Sequence, residues 1–233
     1  MMMNMTTGMQ ESVAPDPSRI ECVIFDIDGT MTRTNDLIFA SFNHVAAKRL
    51  GRTFSQAEII NLFGPPEEGG LRMVFPEEQI GPAMEELCEF YKQHHAALAA
   101  LHPGIDDGLR YLKEKGIKLA VFTGKGRRTA EITLQELNID RYFDMVVSGN
   151  DVVNHKPHPE GIRKVLQAFS LRPANVLMIG DSLGDIKASR AAGVRMAAVL
   201  WDSYDRDRVL DAGSDYVFHE VPELLAWFRA HVN

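Results

Sequence analysis

Six short apolar runs punctuate the 233-residue chain, at residues 22–25, 119–122, 145–147, 176–179, 196–200 and 216–218. Each is flanked by Gly, Asp or Asn, and each is continuously apolar, the pattern of a strand buried on both faces. Between them lie segments with helical spacing, at residues 106–115, 127–138, 159–169, 184–192 and 222–231. Gly116, following Lys113 and Lys115, is a helix stop. Strand alternating with helix predicts an α/β fold built on a doubly wound parallel sheet.

One interval breaks the alternation. Residues 36–100 contain no strand candidate, only helix-like stretches at 37–50, 56–62 and 79–100. The Gly/Pro-rich segment Gly64-Pro65-Pro66-Glu67-Glu68-Gly69-Gly70 reads as a loop between them. An all-helical insertion after the first strand is expected to form a cap over the α/β core. The expected organisation is a disordered tail (1–18), a catalytic core (19–35 and 101–233) and a helical cap (36–100).

Composition narrows the partners. With 45% hydrophobic and 24% charged residues the chain is globular, and its formal net charge is −7. An acidic chain without a Lys/Arg-rich run repels a nucleic-acid backbone. No stretch approaches the ~20 apolar residues of a membrane span, and residues 1–18 lack the apolar centre of a signal peptide. The two cysteines, Cys22 and Cys88, lie in apolar or helical contexts and are expected to be core thiols of a reducing compartment. A soluble cytoplasmic protein, monomer or homodimer, with neither nucleic-acid nor membrane partner, is the expectation.

Ligands of doubly wound sheets bind beyond the carboxyl ends of the strands. The first apolar run ends in Asp26-Ile27-Asp28-Gly29-Thr30 and the second in Thr123-Gly124-Lys125-Gly126. Lys156-Pro157 follows the third, and the fourth ends in Gly180-Asp181-Ser182-Leu183-Gly184-Asp185. Asp26 and Asp28, two apart on extended chain, share one side. Four carboxylates on one rim require neutralisation, and an oxygen-only donor set suits Mg²⁺.

These four segments, in this order at strand exits, resemble the motifs of the haloacid dehalogenase-like superfamily. Asp26-x-Asp28-Gly29-Thr30 is similar to the first motif, Thr123 to the second, Lys156-Pro157 to the third, and Gly180-Asp181-Ser182-x-x-Asp185 to the fourth. The resemblance covers nearly everything after residue 18 and implies a Rossmann-like core. It implies Asp26 as nucleophile, Asp28 as general acid and base, and Thr123, the Gly124 amide and Lys156 as phosphate ligands. Mg²⁺ would sit on Asp26, Asp181 and the backbone carbonyl of Asp28, with Asp185 orienting its waters or Lys156. A carboxylate at Asp28 argues against a dehalogenase or phosphonatase, whose leaving groups need no such acid. The helical insertion resembles the phosphoglycolate phosphatase and β-phosphoglucomutase branch, so the expected substrate is a small phosphorylated metabolite. Water as acceptor makes a phosphatase; a sugar hydroxyl would make a mutase.

Thr-Gly-Lys at the second motif departs from the commoner Thr-Asn or Ser pattern, and Met31-Thr32-Arg33-Thr34-Asn35 from the usual apolar link. Candidate specificity residues are Arg33, just past the nucleophile strand, and Glu67, Glu68 and Arg72 around the Gly/Pro-rich segment. His155 and His158 flank Lys156-Pro157 near the rim. His94 and His95, adjacent on a helix, cannot serve one site together and are expected at the surface. Gly124-Lys125-Gly126-Arg127-Arg128-Thr129 resembles a dinucleotide fingerprint, but Thr129 replaces its third glycine and its strand is not the first. A non-catalytic nucleotide-binding protein is the alternative from another class. No glycine stands where a P-loop needs one.

Overall fold

The computed structural model describes residues 19–232; the expected tail, 1–18, lies outside the described residues. All six apolar runs form strands; the first five place alternate side chains into two separate cores, and the last, at the sheet edge, buries one face and leaves Val217 exposed. In chain order the elements are β1 (Cys22–Phe25), β2 (Thr32–Arg33), α1 (Asn35–Leu50), α2 (Gln56–Ile60), α3 (Glu67–Arg72) and α4 (Glu77–Leu98). These are followed by β3 (Ala100–Leu101), α5 (Ile105–Glu114), β4 (Lys118–Phe122), α6 (Arg127–Glu136), β5 (Met145–Val147), α7 (Glu160–Phe169) and β6 (Val176–Gly180). The chain finishes with α8 (Leu183–Ala192), β7 (Arg195–Val199), α9 (Arg206–Ala212), β8 (Tyr216–Phe218) and α10 (Val221–His231).

The main sheet is parallel throughout, in the order β5-β4-β1-β6-β7-β8. Val23, Phe25, Val121 and Ile179 face a core shared with α5, α6 and α10. Cys22, Ile24, Phe122 and Met178 face the opposite core, closed by α7, α8 and α9. Winding runs from β1 through β4 to β5 on one side, then returns to β6 on the other. That reversal opens a crevice at the carboxyl ends of β1, β4 and β6.

Helices α1 to α4 pack around a third core, in which Leu37, Phe42, Val45, Leu71, Leu87 and Tyr91 are buried. Two differences from expectation arise here. The links on either side of the insertion pair as a small antiparallel sheet, Thr32 with Leu101 and Arg33 with Ala100; two residues per strand leave no apolar run to read. The presumed loop holds helix α3, for which Pro66 sets the entry angle and Glu67 and Glu68 supply acidic groups to the first turn. Carboxylates there complement the helix dipole. Helix α9 also escapes the sequence pattern, because its first residues are charged and only Val209 is buried.

His95, expected at the surface, is fully buried on the inner face of α4, and burial lowers its pKa. Both cysteines are buried and free, and burial pushes their thiols up to about 12 for Cys22 and about 11 for Cys88. Among the described residues, no helix is long and apolar enough to cross a membrane.

Candidate active site

Asp26 continues β1 into the crevice, its amide donating to the Ile179 carbonyl at 2.9 Å as though the strand ran on. The next residues turn sharply. Gly29 takes φ +75°, and a Cβ there would lie 2.5 Å from Asp181 Oδ2. Thr30 Oγ1 then donates to Asp181 Oδ1 at 2.9 Å. A glycine is therefore required twice at this turn, for its backbone conformation and for the approach of a carboxylate. Gly29→Ala is expected to lower stability by about 1–3 kcal/mol and to displace Asp181; an unchanged melting temperature with unchanged activity would contradict this.

Asp181 follows β6, and Asp185 lies one turn into α8. Ser182 caps that helix reciprocally with Asp185, whose Oδ2 accepts from the Ser182 amide at 3.1 Å and from its hydroxyl at 2.6 Å. The cap fixes Asp185 with its other oxygen 2.6 Å from Lys156 Nζ, which also lies 3.1 Å from Asp26 Oδ1. Lys156 further rests over the Phe122 ring, 4.8 Å from its centroid. Oxygens of Asp26, Asp181 and Asp185 fall within 4.8 Å of one another.

The electrostatics follow from that crowding. Burial raises the Asp26 carboxyl to about 6, against the pull of Lys156, with Asp185 and Asp28 adding repulsion. Burial, then Asp26 and Asp185, drive Asp181 up as well. Burial alone would lower Lys156, but Asp185 and Asp26 outweigh it and hold the ammonium charged.

The Asp28 side chain stands apart from the three-carboxylate cluster. It accepts from Thr34 Oγ1 at 2.5 Å and lies 3.2 Å from Lys125 Nζ. Lys125 was not among the residues singled out from sequence. Its side chain is almost wholly buried, 3.8 Å from Glu67 Oε1 and over the Tyr91 ring at 4.9 Å. Burial opposes its charge, yet Asp28, Tyr91 and Glu67 raise its pKa. Its position two residues beyond Thr123 on a strand exit was the available signal, obscured by the neighbouring glycines.

Glu67 reaches from α3 across to the core. It accepts from the Gly126 amide at 2.7 Å and from Thr129 Oγ1 at 2.5 Å. The Arg127 amide is likewise taken by Asn150, at 2.8 Å. Two amides that a dinucleotide would need are thus already engaged. Thr123 and Gly124 line the cavity beside Asp26, the Thr123 hydroxyl accepting from the Lys125 amide at 3.2 Å.

The remaining candidates lie elsewhere. Glu68 accepts from Asn150 at the surface, and Arg72 forms an exposed pair with Glu77 at 3.1 Å. Arg33 is exposed, near His102, whose pKa burial and then the Arg33 charge lower, and near Asp202, whose carboxyl burial raises against that charge. His158 accepts from the Glu160 amide at 3.2 Å, and neither it nor His155 reaches the cavity lining. The structure therefore brings Asp26, Asp28, Glu67, Thr123, Gly124, Lys156 and Asp181 to one cavity of about 370 Å³, with Asp185 behind Lys156, and leaves Arg33, Glu68 and Arg72 outside it.

Comparison with known proteins follows the same outline. A family profile described as haloacid dehalogenase-like hydrolase matches residues 23–199. The pyrophosphatase PpaX of Anoxybacillus flavithermus is 32% identical over 207 residues, covering 89% of this chain and 96% of that protein. The haloacid dehalogenase-like family protein SP0104 of Streptococcus pneumoniae superposes with a TM-score of 0.72 at 28% identity, over 90% of this chain and 98% of that one. CbbY of Rhodobacter sphaeroides, crystallised with phosphate, superposes with a TM-score of 0.77 at 25% identity, over 88% of this chain and 96% of that one.

Proposed function

The chain belongs to the haloacid dehalogenase-like hydrolases, and from that premise we propose that it is a Mg²⁺-dependent phosphatase acting on a small phosphomonoester through an aspartyl-phosphate. The observation that carries this reading is the placement of Lys156 Nζ 3.1 Å from Asp26 at the cavity floor, with Asp28 two residues further along the same turn. An anion enters such a site only if the carboxylates are neutralised. Five of them, Asp26, Asp28, Glu67, Asp181 and Asp185, share the region with two ammonium groups, Lys125 and Lys156.

That donor set fits Mg²⁺, a hard cation that takes few protein oxygens and keeps several waters. Asp26 and Asp181 would hold it, with the Asp28 carbonyl as the family resemblance implies and Asp185 close by. When bound it supplies positive charge beside the transferring phosphoryl group. The similarity to a pyrophosphatase and to a phosphate-bound structure supports phosphoryl-transfer chemistry.

In the first step Asp26 attacks phosphorus, forming the acyl-phosphate bond as the ester P–O bond breaks. Asp28 gives its proton to the departing oxygen. Thr123, the Gly124 amide and Lys156 hold the non-bridging oxygens throughout. Asp28, now a carboxylate, takes a proton from water as that water attacks phosphorus, releasing phosphate and restoring Asp26. Lys125 and Thr34 keep Asp28 aimed through both steps.

Chelation is the direct test. EDTA is expected to reduce phosphate release from p-nitrophenyl phosphate to background, and excess Mg²⁺ to restore it. Ca²⁺, with a larger and looser shell, is expected not to restore it. Full activity in chelator would overturn the metal assignment.

A further inference from the structure

The cavity has two unlike halves. Its floor carries the carboxylates, Thr123 and Lys156, whereas the wall opposite is formed by Ile38, Phe42, Leu62, Phe63 and Pro65 of the helical insertion, with Tyr204 of the core. Phe63 and Tyr204 are 39% and 51% exposed, although both are large and apolar in body. Both rest on buried Phe39: its ring stacks on Phe63 at 6.4 Å and meets Tyr204 at 6.2 Å. Aromatic faces backed by a core residue and open to a cavity are surface for a ligand to cover.

Charge decides which ligand. Among the described residues the cavity lining offers two cations, Lys125 and Lys156. Lys156 is committed to Asp26 and Asp185 at the floor. Lys125, the one cation near the wall, is shared between Asp28 and Glu67, so this corner carries more negative than positive charge. Asp36 in the first turn of α1 already answers the positive end of that helix. A leaving group with its own anion, such as the carboxylate of phosphoglycolate or the second phosphate of pyrophosphate, would meet Glu67 and an apolar wall.

Resting on the phosphatase reading above, we propose that the substrate is a phosphomonoester whose leaving group is uncharged and apolar, aromatic or bulky aliphatic, packed against Phe63 and Tyr204. This separates the chain from the activity named for its pyrophosphatase relative.

Four compounds test it, assayed with saturating Mg²⁺ by phosphate release: benzyl phosphate, ethyl phosphate, phosphoglycolate and pyrophosphate. Benzyl and ethyl alcohols leave with similar intrinsic difficulty, so their ratio reads the wall. Benzyl phosphate is expected to exceed ethyl phosphate in kcat/KM by about tenfold or more, with both anionic compounds below ethyl phosphate. In Phe63→Ala and Tyr204→Ala, exposed positions whose truncation spares the core, the benzyl-to-ethyl ratio is expected to fall toward one. Met73→Ala, an exposed change on the same insertion, should keep the ratio. Phosphate release that is fastest from phosphoglycolate or pyrophosphate, or a benzyl preference indifferent to Phe63 and Tyr204, would overturn the inference and leave the phosphatase standing. No release from any of the four would overturn the phosphatase reading, and this inference with it.

Discussion

Asp26→Asn is expected to reduce turnover of every phosphomonoester by at least about a thousandfold while leaving the fold intact. The amide occupies the same volume at the end of β1, so the strand ladder through the Asp26 amide survives. What disappears is the nucleophile and one charge of the cluster. Asp26 is nine-tenths buried and crowded by Asp181 and Asp185, and like charges held that close oppose one another. Removing one relieves the repulsion, so in chelator the variant's melting temperature is expected to equal or exceed that of the parent. Activity and stability thus move in different directions, which a merely misfolded variant could not reproduce. Retention of more than a few per cent of turnover would rule out covalent catalysis by Asp26.

Lys125→Met should fail in the opposite manner. The side chain is enclosed between Asp28, Glu67 and the Tyr91 ring, and methionine fills the space without the charge. Breaking a buried pair by removing one partner leaves the other uncompensated, at about 3 kcal/mol or more. For a chain of this size that is a melting-temperature loss of about 6–12 °C. The catalytic consequence depends on the leaving group. Asp28 loses one of its two restraints and delivers its proton poorly, so alkyl phosphates, whose alkoxides must be protonated, should lose far more kcat than p-nitrophenyl phosphate. Lys125→Arg should recover part of both losses. Equal loss on alkyl and nitrophenyl esters would remove Lys125 from any role in positioning the acid.

The core strands were legible because each is a continuous apolar run bounded by Gly, Asp or Asn, and the topology of a parallel sheet then put their exits on one rim. That pattern placed Asp26, Asp28, Thr123 and Asp181 at strand exits, and the family resemblance supplied their roles and singled out Lys156. Boundaries within the insertion were less legible. Glu67 to Gly70 reads as turn chemistry, yet the segment forms α3 because Gly69 and Gly70 allow close packing, a Cβ at Gly70 falling 3.1 Å from the Leu62 carbonyl. Adjacent His94 and His95 were correctly placed on different faces of one helix, but which face was buried depended on α4 packing over the core.

Local features are written in the chain: the period of the apolar residues, hence strand or helix, and the chemistry that follows each strand. Which distant groups meet is settled in three dimensions. Lys125 lies 97 positions from Asp28 and 58 from Glu67 in the numbering, and no periodicity links them. Packing α4 and α3 against the exit of β4 buries the ammonium, and a buried cation must find carboxylates. The fold also turns Arg72 outward to Glu77 and brings Phe63 and Tyr204 onto the same Phe39 ring. Long-range pairing is chosen by which combination of buried charges and apolar surfaces is satisfied at once, a condition on the whole fold rather than on any segment of it.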